Sequence, residues 1–260
     1  MISPVPNQGS EPEAELALVM PMAGRGSRFS KGGEFQPKPL IDLAGRPFFW
    51  WAIESVRRSV ALREIVCVVL EDHVSTFDID ARILEYYPQA RIVVIPEVTH
   101  GAAETAQIGI QALTTTGPVA INDSDHAFRA DLAPLIGALQ RDLDAALLCF
   151  ASSNPAYSYV LTDDAGRVTG TAEKRVVGPH AIAGCYFFAQ PARFLALFDR
   201  YRENCSYDEL FVSGLYDALI ADGGTVGKLL AQQHVSFGTP NELACVDVAA
   251  LAMMHLGAGS

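Results

Sequence analysis

An α/β fold built on a mainly parallel sheet follows from three observations on the 260-residue sequence. Short apolar runs at 16–20, 64–70, 91–96, 118–122 and 145–151 alternate with stretches whose apolar residues recur at helical spacing. Strands separated by helices imply parallel pairing through right-handed crossovers. Half of the residues are hydrophobic and 19% are charged. That excludes a disordered chain or a collagen and suffices for one large domain, or a domain plus a small lobe. The alternation breaks down after about residue 155, so the second half is expected to add a partly antiparallel portion.

The elements follow in order. Residues 16–20 form a first strand bounded by Pro21, and a Gly-rich loop comes next. Residues 48–58 read as a helix with Pro47 suited to its first turn. Residues 64–70 are a buried strand, 77–87 an amphipathic helix, 91–96 a third strand and 101–113 a helix. The fourth strand, 118–122, runs into Asp123-Ser124-Asp125-His126. Asp131 is expected to cap the next helix, ahead of a fifth strand at 145–151. Residues 158–163 and 167–174 flank Asp164-Ala165-Gly166, a hairpin signal. A strand at 183–189 and helices at 191–203, 208–223 and 241–256 complete the chain. Ligands of open α/β sheets bind beyond the carboxyl ends of the strands, so the loops after strands one and four are the informative ones.

Charge points to the same place. The formal net charge is −11, which argues against general nucleic-acid binding. Yet residues 25–46 carry Arg25, Arg28, Lys31, Lys38 and Arg46 against Glu34 and Asp42, a local excess of three positive charges. Residues 1–15 lack both the basic and the apolar region of a secretory signal and read as a mobile tail. No apolar run approaches the ~20 residues of a membrane helix. The five cysteines are scattered without a CxxC pair, and Cys67, Cys149 and Cys185 sit in strand-like runs as reduced core thiols. The expectation is a soluble cytoplasmic protein.

In the first loop, Gly24 and Gly26 let the backbone turn sharply and aim N–H groups at one point, a nest suited to phosphate oxygens. The third glycine of a dinucleotide fingerprint would fall at Phe29, and no P-loop pattern is present. Lys38 lies between Pro37 and Pro39, which stiffen the segment, and is one of only four lysines. Taken alone, the loop could be a surface turn with solvated bases. Likewise Asp123 and Asp125 could be turn or cap residues, and Glu173-Lys174 an exposed pair at a hairpin end.

Taken together, these segments resemble the sugar-phosphate nucleotidyltransferases, or nucleotide-sugar pyrophosphorylases. The resemblance rests on Ala23-Gly24-Arg25-Gly26-Ser27-Arg28-Phe29 followed by Pro37-Lys38-Pro39-Leu40, and on His100-Gly101-Ala102-Ala103. It continues through the aspartate loop, Glu173-Lys174, Ala183-Gly184-Cys185-Tyr186 and Phe237-Gly238-Thr239-Pro240, covering roughly residues 16–245. The fold it implies is a three-layer α/β/α sandwich with a mainly parallel, Rossmann-like mixed sheet. A single domain over 16–260 would hold a nucleotide-binding half (16–150), an acceptor-binding half (151–245) and a C-terminal helix (240–256).

The implied reaction transfers a nucleoside monophosphate from an NTP to a sugar 1-phosphate or similar phosphate monoester and releases pyrophosphate. The product would feed envelope or capsule glycans. The resemblance assigns Met22, Ala23, Gly24, Arg25, Gly26, Ser27, Gly101 and Ala102 to the nucleotide. Arg28 would hold the departing pyrophosphate and Lys38 the α-phosphate. Glu173, Lys174 and Gly184 would meet the acceptor. Asp125, with Asp123 second, would hold Mg²⁺, making Arg28, Lys38 and Asp125 the catalytic set. Two departures stand out: Ser236 occupies the place of a second metal aspartate, and Arg175 that of a proline after Glu-Lys. The competing readings are a glycosyltransferase of the same general fold, which leaves Lys38 and Arg28 without a task, and a degenerate nucleotide-binding regulatory protein. Base, acceptor and oligomeric state are left open; the apolar C-terminal helix, with Leu251, Met253 and Met254, is expected to be core in preference to an interface between copies.

Overall fold

A computed structural model describes residues 14–30 and 36–256. The expected tail thus lies, up to residue 13, outside the described residues, as do Lys31 and Glu34 of the basic window. Strand β1 (Glu15–Pro21) leads into a one-turn helix α1 (Ser27–Ser30), a 3-10 turn at Lys38–Leu40 and two short paired strands, β2 (Asp42–Leu43) and β3 (Arg46–Pro47). Next come α2 (Phe48–Arg57), β4 (Ala61–Leu70), α3 (Glu71–Phe77), α4 (Ile79–Tyr86), β5 (Arg91–Ile95), α5 (Ala102–Gln111) and β6 (Val119–Asn122). The chain continues through β7 (His126–Arg129), α6 (Ala133–Leu139), β8 (Ala145–Ala151), the hairpin β9 (Tyr159–Thr162) and β10 (Val168–Ala172), and the long β11 (His180–Phe188). Helices α7 (Pro191–Asn204) and α8 (Gly214–Ala221), strands β12 (Val226–Leu230) and β13 (Gln233–Ser236), and helices α9 (Pro240–Ala244) and α10 (Val248–Leu256) complete it.

The central sheet runs β5-β4-β1-β6-β11, and β11 continues it into β8 and β12. The first four strands are parallel, whereas β11 is antiparallel to β6 and β8. The β9–β10 hairpin joins beside Ala181 of β11. Alternation along β1 splits the core into two faces. Leu16, Leu18 and Met20 pack with Phe49 and Ile53 of α2, Ile83 of α4 and Ile136 of α6. Ala17 and Val19 pack with Ile110 of α5, Phe194 of α7 and Leu215 of α8. This is the three-layer α/β/α sandwich with a mixed, largely parallel sheet that the sequence predicts.

A third cluster, Phe29, Ile41, Phe48, Trp51, Phe237, Leu251 and Met254, anchors the glycine-loop region to the C-terminal helix. Leu251 is thereby core, while Met253 on the same helix is 66% exposed. Cys67, Cys149 and Cys185 are free, buried thiols, and burial pushes those of Cys67 and Cys149 up to about 12.

Several helix boundaries are corrected. The helix expected over 77–87 runs Ile79–Tyr86; it is preceded by a helix the sequence did not mark, α3, which ends at Phe77, and Asp78 between them, with a φ of 51°, breaks the ladder. The one expected over 208–223 starts only at Gly214. The preceding segment binds the 100–103 turn instead: Leu210 N–H donates to His100 C=O, and Ala103 N–H to Leu210 C=O. The C-terminal stretch divides between α9 and α10, where the Asp247 carboxylate accepts from Ala250 N–H. Asp131 does accept a hydrogen bond, from Ala133 N–H at 3.3 Å, although Leu132 is the residue at the cap.

Candidate active site

The glycine loop leaves the carboxyl end of β1. Met22 N–H donates to Val68 C=O, and Ala23 is buried, so the loop springs from a fixed point. Gly26 has a φ of 59°, and a Cβ there would stand 3.0 Å from Lys38 Cβ. Glycine is required both by the backbone and by the lysine segment lying against it. Pro37 and Pro39 are buried, and the turn between them closes with Leu40 N–H on Pro37 C=O. The root of the Lys38 side chain is therefore held in place, and its ammonium reaches to the aspartate loop. It meets Asp125 Oδ2 at 2.8 Å. Arg25 is exposed and paired with Asp72 at 2.7 Å.

The aspartate loop leaves the carboxyl end of β6. Asp123 N–H donates to Gly184 C=O, and Phe237 N–H donates to Asp125 C=O. Both carboxylates lie against glycines. A Cβ on Gly184, whose φ is 70°, would stand 3.0 Å from Asp123 Oδ2, and one on Gly238 would collide with the Asp125 carboxylate. Burial, then the neighbouring charge of Asp125, pushes the Asp123 carboxyl up to about 7. Burial acts in the same direction on Asp125, but the charge and hydrogen bond of Lys38 prevail and hold it below the usual carboxylate range. His126, stacked on Phe128 and hydrogen-bonded to Asn122, is driven down to about 4 by burial, and His234 beside it to about 3. Both rings are neutral at pH 7.

Two cavities meet at these aspartates. The larger, about 670 Å³, lies between the glycine loop and the N-terminus of α5. Gly101 lines its wall, and a Cβ there would run into the Leu210 backbone. The smaller, about 230 Å³, opens toward β10 and β11. There Glu173 accepts from Ser158 Oγ at 2.7 Å and from Ser213 Oγ. Lys174 has a left-handed φ of 49°, a conformation costly for a side-chain-bearing residue, and its ammonium rests 5.1 Å from the centre of the Phe211 ring.

Residues 18–194 match the profile of the MobA-like NTP transferase domain. The chain belongs to the MobA-like NTP transferase family. Among solved structures, a nucleoside-diphosphate-sugar pyrophosphorylase from Vibrio cholerae superposes with a TM-score of 0.76 at 23% identity, covering 87% of this chain and 98% of its own. The inositol-1-phosphate CTP transferase of T. maritima superposes at 0.74 with 16% identity, covering 95% and 98%. At these identities the likeness shows the fold, the nucleotide-diphospho-sugar transferase type. No curated protein matches the sequence. Among the described residues of this NTP transferase no helix is long and apolar enough to cross a membrane.

The structure brings most of the expected residues to the two cavities. Met22, Ala23, Gly24, Arg25, Gly26 and Lys38 line the larger cleft together with Gly101 and Ala102. Glu173, Lys174 and Gly184 line the smaller cavity, and Asp123 and Asp125 line both. Ser27 opens α1 and lines neither. Arg28 faces the smaller cavity rather than the glycine-loop cleft. Ser236 lies across the β7–β13 ladder from His126, at the edge of the smaller cavity.

Sequence reasoning missed Phe211, which lines both cavities, and Asp208 and Glu209 in the larger one. Their apolar spacing matched a helix, and only the backbone pairing of Leu210 reveals otherwise. Tyr157 and Glu242, both in the smaller cavity, gave no sequence signal.

Proposed function

We propose that this NTP transferase moves a nucleoside monophosphate from an NTP onto a sugar 1-phosphate or similar phosphate monoester, releasing pyrophosphate and producing an activated nucleotide sugar. The carrying observation is the Lys38–Asp125 contact at 2.8 Å, made where the two cavities join. The nucleotide occupies the larger cleft, with its phosphates on the N–H groups of the Gly24–Gly26 turn. The acceptor occupies the smaller cavity, its phosphate facing Lys174 and Arg28. A phosphate oxygen attacks the α-phosphorus, the bond to the bridging β-phosphate oxygen breaks, and pyrophosphate takes that electron pair. The acceptor phosphate is already anionic at neutral pH, so no general base is needed. Catalysis rests on positioning and on charge placed where it develops.

In this reading Lys38 moves from Asp125 to the α-phosphate as nucleotide binds. Arg28, facing the acceptor cavity, holds acceptor-phosphate oxygens at the junction rather than the departing pyrophosphate, a task its planar fork suits. Asp125 and Asp123 fit a divalent cation. Two carboxylates held against glycines, one of them pushed to about 7, mark a spot where negative charge exceeds its compensation. Mg²⁺ takes one or two carboxylates with substrate phosphates, and when bound it supplies charge neutralisation on those oxygens. The nucleotide sugar would serve envelope or capsule glycan assembly, as the sequence resemblance implies.

The test is pyrophosphate release with Mg²⁺, each of the four NTPs and a panel of sugar 1-phosphates. Release with one pairing, dependent on Lys38 and Asp125, is the expected result. No release from any pairing, with NDP released instead from an NDP-sugar, overturns the reading in favour of glycosyl transfer.

A further inference from the structure

Glu242 and Tyr157 face the acceptor cavity from segments that the proposed reaction leaves without a role. Tyr157 Oη donates to Glu242 Oε1 at 2.6 Å, joining positions 85 residues apart. Thr239 Oγ1 donates to Glu242 Oε2 at 3.1 Å while accepting the Glu242 N–H. Both oxygens of one half-buried carboxylate are thus fixed by hydroxyls. This arrangement has a chemical consequence for whatever enters. Tyr157 and Thr239 spend their protons on Glu242, and Ser158 spends its own on Glu173. What these groups offer the cavity is lone pairs. Beside the Arg28 and Lys174 cations, this part of the wall is rich in acceptors, which complement hydroxyl donors on a ligand.

Position narrows the contact further. A Cβ on Gly238 would collide with the Asp125 carboxylate and stand 3.5 Å from Glu242 Oε2, so the two carboxylates converge on one small space. Asp125 marks the point of phosphoryl transfer, and a group beside it reaches ligand atoms next to the acceptor's phosphate. Resting on the nucleotidyl-transfer reading, we propose that Glu242, held by Tyr157 and Thr239, selects the acceptor. It does so by accepting a hydrogen bond from the hydroxyl on the carbon adjacent to the phosphate-bearing one. A charge-assisted bond of this kind is strong enough to read as a tenfold or larger effect.

The experiment compares α-D-glucose 1-phosphate with its 2-deoxy analogue, as substrates or as inhibitors competing with the acceptor that releases pyrophosphate fastest. Wild type, Glu242→Gln and Tyr157→Phe are measured, with thermal melts to verify folding. Wild type is expected to bind the 2-deoxy compound about tenfold more weakly. Glu242→Gln is expected to raise the KM or Ki for glucose 1-phosphate about tenfold, abolish the discrimination and leave the KM for NTP within twofold. Tyr157→Phe falls between the two, and carries the comparison if Glu242→Gln does not fold. Retained discrimination in both variants, or parallel loss of NTP and acceptor affinity, overturns the assignment and reduces Glu242 to a helix cap. Wild type that releases no pyrophosphate with any NTP and acceptor overturns instead the reaction beneath it, and is seen without any variant.

Discussion

The Asp123→Asn substitution isolates the electrostatic tension at the junction of the two cavities. Burial and the charge of Asp125 raise the Asp123 carboxyl to about 7 in the fold. The unfolded chain returns it to about 3.9. Because the folded state holds that proton more tightly, stability falls as pH rises from about 4 to about 7 and levels off above. Three pH units of difference correspond to at most about 4 kcal/mol at pH 8, and roughly 1–2 kcal/mol at pH 5. Asparagine keeps the shape and carries no charge, so the variant recovers that penalty. For a chain of this size each kcal/mol moves the melting midpoint by roughly 2–4 °C. In buffer free of divalent ions, Asp123→Asn is expected to melt above wild type at pH 8, by up to roughly 8–16 °C, with the gap shrinking toward pH 5. Differential scanning calorimetry across pH 5–8.5 reads it directly. Midpoints that stay equal at every pH would refute the assigned repulsion. Mg²⁺ is expected to narrow the gap at pH 8, because it relieves in wild type what the substitution has already removed.

Further outcomes follow from other contacts. Lys38→Ala is expected to cut kcat for pyrophosphate release at least about 100-fold and to let the Asp125 carboxyl rise from its depressed position, visible by NMR titration. Gly26→Ala places a side chain at a φ of 59° and 3.0 Å from Lys38 Cβ. It should cost about 1–2 kcal/mol of stability by thermal melt together with a fall in kcat, whereas Gly45→Ala, with open space around it, loses stability alone. Phe211→Ala removes the ring beneath the Lys174 ammonium, a contact of about 0.5–1 kcal/mol, and the acceptor KM should rise roughly two- to fivefold in steady-state kinetics.

The parts legible in the sequence were those governed by local rules. Apolar runs marked β1, β4, β5, β6 and β8. The Gly24–Gly26 turn and the proline-flanked Lys38 were visible because glycine and proline restrict backbone choices by themselves. What stayed hidden depends on contacts between distant segments. Residues 208–213 carry helical spacing, but the backbone of Leu210 is engaged by His100 and Ala103, and no local signal records that. Strands β7 and β13 are four residues each and exist only as a pair. Glu242 looks like an ordinary cap residue until Tyr157, far back in the chain, arrives on its carboxylate.

Strand β11 has one more consequence. It hydrogen-bonds to β6 through Cys185–Phe188 and to β8 on its other side, with Gly184 at the irregular stretch between Ile182 and Tyr186. The two halves of the molecule are therefore stitched along a shared seam, and a clamshell opening would have to tear backbone hydrogen bonds in the core. In the proposed reaction, substrate entry and product escape fall instead to exposed loops beside the cleft, such as 152–158. Amide exchange should follow the same division, slowest along the seam and fastest in those loops, so that the rigid half of the catalytic apparatus keeps its geometry through every turnover.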